Sequence, residues 1–299
     1  MQRCCHNGLP GAAASCLARE LPTGARMETS NHAAYIGSIP EHYHRGAGPF
    51  FFEPYAQELS TRIKAFAPQQ VLETACGTGI LTRRLREALA AETRLVATDL
   101  NEPMLALARQ TVGPDANVEW AQQDMTRLRF TDGEFDAVVC QFGLMFVPDK
   151  PAAAREARRV LRPGGQLLLA TWRSLEHNAA IRLAHETVSA LFPSEPPRFY
   201  LTQTGYGEPR EMTQLLADAG FTHIHTEPVQ KRSVIENTHE LAVGLIEGFP
   251  IVDFIRAHDP LLVSVAIGAL TKALDKHFGE APVKVTIEAL VTSATAPGA

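Results

Sequence analysis

The chain has 299 residues, 45% of them hydrophobic and 20% charged, enough for one large domain with an elaboration and a full apolar core. Its 28 Lys and Arg against 33 Asp and Glu give a net charge of −5, without the basic footprint of a nucleic-acid binder. No run approaches the roughly 18 to 20 apolar residues of a membrane span.

Residues 1–30 read as a disordered or extended tail. They hold Cys4, Cys5 and Cys16, three of the five cysteines, while Cys76 and Cys140 fall at strand ends. That is no disulfide framework, and it points to a reducing, cytoplasmic setting. Ala12–Ala18 is too weak an apolar run for a secretory signal. A transit peptide is the competing reading, and Met27 offers a second start.

The segment 31–66 is expected to be an N-terminal helical cap, with Tyr55, Leu59, Ile63 and Phe66 at helical spacing after Pro54. Helix and strand then alternate. Val71–Ala75 is a short buried strand, Gly79–Ala91 a helix, Leu95–Asp99 a second strand, and Glu102–Thr111 a helix that tolerates Pro103 in its first turn. Asn117–Ala121 and Phe135–Gln141 are strands three and four. Lys150–Leu161 is a helix stopped by Arg162-Pro163-Gly164-Gly165. Gln166–Trp172 is almost continuously apolar, as a strand covered on both faces should be. A helix over His177–Leu191 and a Pro/Gly-rich loop over Pro193–Pro209 follow. Glu211–Ala219 is helical, and Phe221–Ile235 extended with a bend at Gln230-Lys231. Glu240–Ala257 and Leu261–Phe278 are helical stretches, and Val283–Thr292 is the last strand. This alternation is that of an α/β, doubly wound and mostly parallel sheet.

The chemistry concentrates at Glu73-Thr74-Ala75-Cys76-Gly77-Thr78-Gly79, where an apolar strand runs into an acid and a Gly-x-Gly turn. About twenty residues later the second strand ends in Asp99. Nucleotide-binding folds use this layout, with glycines letting backbone approach a ligand and the acid gripping ribose hydroxyls. A dinucleotide site wants a third glycine where Thr82 stands. Cys76 reads as a small turn residue.

Together with Asn101-Glu102-Pro103-Met104-Leu105, Gln122-Gln123-Asp124-Met125, Gln141-Phe142-Gly143-Leu144-Met145-Phe146 and Leu161-Arg162-Pro163-Gly164-Gly165, these segments resemble the class I S-adenosylmethionine-dependent methyltransferases. The likeness is to the small-molecule branch of the ubiquinone/menaquinone-biosynthesis enzymes, over roughly residues 35 to 235. It implies a seven-stranded Rossmann-like methyltransferase fold whose last strand is antiparallel, with a core over 67–237, a helical insert over 238–280 and the last strand and tail over 281–299. It also implies S-adenosyl-L-methionine as cofactor, held by Glu73, Ala75, Gly77, Thr78, Gly79, Asp99, Leu100, Met104, Asp124, Met125 and Gln141.

In-line transfer from a sulfonium needs positioning and desolvation first, and a base only where the acceptor must lose a proton. No unique base is legible. Tyr43 and His44 are the catalytic candidates from the cap, and Tyr35 is placed to reach the cofactor carboxylate. Phe142, Met145, Phe146 and Arg173 are candidates for contact with the acceptor, with His177 and Asn178 following the same strand. His223 and His225 share a face if their segment is a plain strand, but without a third ligand no metal is expected. The apolar insert is read as a lid or a homodimer contact. The expected function is methyl transfer to O, C or N of a small apolar or aromatic molecule, with no nucleic-acid partner. The alternative is a cofactor-binding protein without transferase activity, a sensor or partner subunit.

Overall fold

The computed structural model describes residues 32–298, so the expectations for residues 1–30 lie outside the described residues. Seven strands form one sheet in the order β3-β2-β1-β4-β5-β7-β6. They are β1 (Gln70–Thr74), β2 (Arg94–Asp99), β3 (Val118–Gln122), β4 (Phe135–Gln141), β5 (Leu161–Trp172), β6 (Thr222–Ile235) and β7 (Val283–Thr295). All neighbours are parallel except β7, which lies antiparallel between β5 and β6. The order reverses at β1 and β4, and ligands of such sheets sit outside the strand carboxyl ends at that point.

Helices α1 (Ile39–His42), α2 (Glu53–Ala65), α3 (Ile80–Ala88), α4 (Glu102–Val112), α5 (Lys150–Val160), α6 (Ala179–Leu191), α7 (Phe199–Gln203), α8 (Pro209–Asp218), α9 (Thr238–Glu247), α10 (Ile251–His258) and α11 (Leu261–Phe278) cover the sheet. β1 and β4 are buried almost throughout because helices close both faces, whereas β3 and β6 stand at the edges and are half exposed. The Asp136 carboxylate pins the start of β1 by accepting from the Gln69 and Gln70 backbone N–H groups at 2.5 and 3.0 Å. Capping is equally local. Asp149 accepts from the Ala152 N–H at the start of α5, and Asn237 accepts from the His239 and Glu240 N–H groups at the start of α9.

Four expectations are corrected. The helix expected over Glu240–Ala257 breaks at Gly248-Phe249-Pro250 into α9 and α10, because Pro250 starts a helix better than it continues one. The irregularity in β6 lies between Thr222 and His225, not at Gln230-Lys231. His223 occupies it with φ +48°, so the simple alternation that would pair it with His225 is lost. Arg162–Gly165 ends α5 but does not delay the next strand. β5 begins at Leu161, and Gly164 and Gly165 exchange backbone hydrogen bonds with Ala296. The Pro/Gly-rich loop contains α7.

Tyr43–Phe52 forms a π-helix between α1 and α2, with Pro49 inside it and Phe50, Phe51 and Phe52 buried. Proline lacks the N–H that a tight α-turn would use, and π-turns often accompany functional sites. This segment packs directly on α9. A methyl group added at Gly46 would stand 2.5 Å from the Gly244 Cα, so only two glycines allow that approach. The insert thereby lies against the N-terminal segment at the carboxyl edge of the sheet.

Candidate active site

A cavity of about 280 Å³ opens at the β1/β4 switch point, and a smaller one of about 20 Å³ adjoins it, sharing Tyr43, Phe52, Ala75 and Gln141 as walls. The backbone there is tightly fitted. Ala75 and Phe142, at the ends of β1 and β4, both have positive φ, +52° and +57°. For a bulky residue this is costly, and such strain concentrates at functional sites. Here Phe142 is held by stacking flat on Trp172, with ring centroids 3.9 Å apart and 1° between planes. A Cβ on Gly143 would come within 2.3 Å of the Ala75 Cβ, so the tips of the two strands touch.

Asp99, 6% exposed, stands at the end of β2. It accepts from the Gly77 N–H at 2.8 Å and from the Asn101 N–H at 2.9 Å. Burial pushes its carboxyl up, and these backbone donors offset part of that shift. Glu73 is 1% exposed, and its Oε2 is buried without a partner. Burial pushes Glu73 up to about 8, and the nearby Asp99 charge adds to the shift. Gln141 donates from Nε2 to the Phe52 carbonyl at 3.1 Å, while its Oε1 is also buried without a partner.

Much of the wall of the large cavity is aromatic. Tyr35, Tyr43, Phe52, Phe142, Phe146, Trp172 and Phe249 line it together with Met145 and Gln203. Edge-to-face contacts join Tyr35 to Tyr43, Phe146 and Phe249, which fixes the rings relative to one another. Burial pushes the Tyr35 and Tyr43 phenols up, so both are neutral hydroxyls.

A family profile described as a methyltransferase domain matches residues 71–165. The ubiquinone/menaquinone biosynthesis C-methyltransferase of Pseudomonas fluorescens is 35% identical over 173 residues, covering 53% of this chain and 67% of that one. The chain belongs to the class I S-adenosylmethionine-dependent methyltransferases. The protein of the same name from Escherichia coli K12 is 40% identical over 104 residues, which span 34% of this chain and 41% of that one. The phosphoethanolamine N-methyltransferase 2 of Haemonchus contortus, solved with S-adenosyl-L-methionine, shares the fold at a TM-score of 0.54 and 19% identity. Its match covers 86% of this chain and 56% of that one.

This methyltransferase uses S-adenosylmethionine, and its residues fit that cofactor. An unpartnered buried carboxylate oxygen on Glu73 suits an ammonium group, and Asp99 suits ribose hydroxyls. Of the residues expected to hold the cofactor, Ala75, Gly77, Asp99, Leu100, Met104, Asp124, Met125 and Gln141 line the large cavity, and Glu73 and Thr78 line the small one. Leu100 is 48% exposed at the cavity wall, as an apolar side chain awaiting a flat ligand would be. Asp124 Oδ1 accepts from the Thr126 N–H and Oγ1, each at 2.8 Å, which fixes its turn.

Three assignments change. Gly79 lines neither cavity. Its φ of +81° starts α3, and an added Cβ would lie 2.8 Å from Val112 Cγ2, so its role is to let α3 approach α4. His44 turns to the Gly-rich turn, with Nδ1 2.9 Å from Thr78 Oγ1, and does not line the cavity. Burial and the Arg83 and Arg45 charges push its imidazole down. Arg173 points to Glu288 at 2.6 Å and so braces β5 against β7, leaving the acceptor side. Asn178 does similar work, exchanging hydrogen bonds with the Glu288 backbone, and His177 pairs with Ser174.

Sequence reasoning missed Asn101 as a side chain. Its Oδ1 accepts from the Tyr35 N–H at 3.3 Å and its Nδ2 donates to the Ala33 carbonyl at 2.9 Å. It therefore fastens the N-terminal segment beside Asp99. Gln203 was also missed as a wall residue, and of the insert's apolar side chains that suggested an apolar acceptor, Phe249 is the one on the wall of the large cavity. Gln203 lies in no recognisable motif and comes from a stretch that reads as loop. Cys76 is a buried thiol pushed up by burial, in keeping with a small turn residue. No described helix is long and apolar enough to cross a membrane.

Proposed function

We propose that this enzyme methylates a small, flat, apolar molecule, an aromatic ring above all, seated against the aromatic wall of the cavity. The observation that carries this reading is the set of seven aromatic side chains that line the same cavity as Gly77 and Asp99. Such walls favour ring stacking and exclude water, and a dry site strengthens every electrostatic contact in it. The relatives are C-methyltransferases of ubiquinone/menaquinone biosynthesis, which agrees with a ring acceptor.

The bound cofactor supplies a sulfonium methyl group as electrophile. The protein's part is to hold and orient. Asp99 takes the ribose hydroxyls and Glu73 the ammonium group, with the Gly77 turn presenting backbone to the methionine portion. Met104 and Leu100 flank the adenine, with the Asp124-Met125 turn reading its edge. Phe142, Met145 and Phe146 then face the acceptor. Along the aromatic wall the titratable groups are Tyr35 and Tyr43, both held neutral. Neither takes a proton readily near neutral pH, which favours an acceptor that arrives already ionised or electron-rich at the attacked atom. The insert contributes Phe249 and serves as a lid.

Incubation with methyl-labelled cofactor tests this against phenols and quinols, aliphatic acids, a peptide mixture and RNA. Label is expected in a ring compound. Label confined to peptide, RNA or aliphatic acids would overturn the reading.

A further inference from the structure

We propose that Gln203 determines specificity in the acceptor chamber, hydrogen-bonding one polar substituent of an otherwise flat apolar ring. This rests on the aromatic-acceptor reading above. Gln203 ends α7, is 3% exposed, and lines the cavity. Its Oε1 is buried with no hydrogen-bond partner. A buried acceptor left unpaired is costly, and a ligand donor recovers that cost.

The placement is built rather than incidental. Phe199 on the same helix stacks on Phe146, centroids 5.7 Å apart and 20° between planes, and lies 5.5 Å from the Phe249 ring. The Tyr200 hydroxyl donates to the Leu245 carbonyl at 2.7 Å, tying α7 to the insert. Gln203 is therefore fixed relative to the aromatic walls. The same cavity holds two further buried polar atoms without a partner, Gln141 Oε1 among the cofactor residues and, of opposite sense, the Trp172 indole N–H. An unpaired acceptor and an unpaired donor on one apolar chamber suit a hydroxyl, which offers both a donor and acceptor lone pairs.

The test is calorimetric, on protein loaded with S-adenosylhomocysteine, using 2-naphthol and its methyl ether 2-methoxynaphthalene as probes. The wild type is expected to bind the naphthol about tenfold more tightly. Gln203→Leu and Gln203→Met are expected to bring that ratio close to one while S-adenosylhomocysteine affinity holds, a pattern that loss of packing alone would not produce. Equal binding of the two probes by the wild type overturns the proposal without any variant. So does a naphthol preference that survives both substitutions. In either case the aromatic chamber itself stands. Failure of both probes to bind the wild type would instead overturn the aromatic-acceptor reading beneath it.

Discussion

Asp99→Ala is expected to weaken S-adenosylmethionine binding by about 100- to 1000-fold, measured by titration calorimetry. Two charge-assisted hydrogen bonds to ribose hydroxyls account for the size, at roughly 1.5 to 2 kcal/mol each. The carboxylate has a second task. Its oxygens already accept from the Gly77 and Asn101 N–H groups, so it shapes the Gly-rich turn before any ligand arrives. Asn101 in turn fastens the backbone at Ala33 and Tyr35. Removing Asp99 therefore loosens the turn and the N-terminal segment together. Asp99→Asn keeps the size and one acceptor oxygen but sets its NH2 against the Gly77 or the Asn101 N–H, and its loss should still be milder than that of the alanine variant. Equal affinity in Asp99→Ala and wild type would remove Asp99 from the cofactor site.

The second large effect is on protons. Glu73 sits at about 8 in the unliganded protein because burial disfavours its charge. At pH 7 it is mostly protonated, and holding a cationic ammonium group requires it to ionise. Cofactor binding at pH 7 should therefore release close to one proton, seen as a dependence of binding enthalpy on buffer ionisation heat. Glu73→Gln should release none and bind about 10- to 100-fold more weakly at pH 8, where about half of the wild-type carboxylate is already ionised. The same shift sets a stability signature. The folded state holds the proton more tightly than the unfolded chain, whose carboxyl titrates near 4.5. Glu73 then costs nothing below that value, and stability falls by about 1.4 kcal/mol per pH unit as pH rises toward 8. Thermal melts of the unliganded protein from pH 5 to 8 should show a steeper decline in the wild type than in Glu73→Gln. Parallel curves would contradict the assignment.

The residues that could be placed from the chain alone are those at the carboxyl ends of parallel strands. Glu73, Gly77, Asp99 and Gln141 follow directly from where β1, β2 and β4 stop, because a doubly wound sheet brings those ends to one edge. Side chains that depend on distant partners were not legible. Arg173 looks available after β5 until Glu288, 115 positions later, claims it. His44 looks poised until Thr78 is seen against it. The insert reads as two helical stretches, Glu240–Ala257 and Leu261–Phe278, with apolar side chains whose individual places are not legible. What puts Phe249 in the cavity wall is the break at Pro250 and the glycine contact of Gly46 with Gly244, a fit between segments about 200 residues apart. Gln203 was hidden for another reason: a five-residue helix in a Pro/Gly-rich stretch carries too little periodicity to register.

The central claim is that one cavity holds both partners, with the reactive end of the cofactor turned to the aromatic wall. A crystal structure with S-adenosylhomocysteine tests it most directly. The expected result has the ribose hydroxyls on Asp99, the amino group on Glu73, and the sulfur facing the space between Phe146, Phe249 and Gln203. A sulfur directed to solvent, or a cofactor lying away from Asp99, would contradict it.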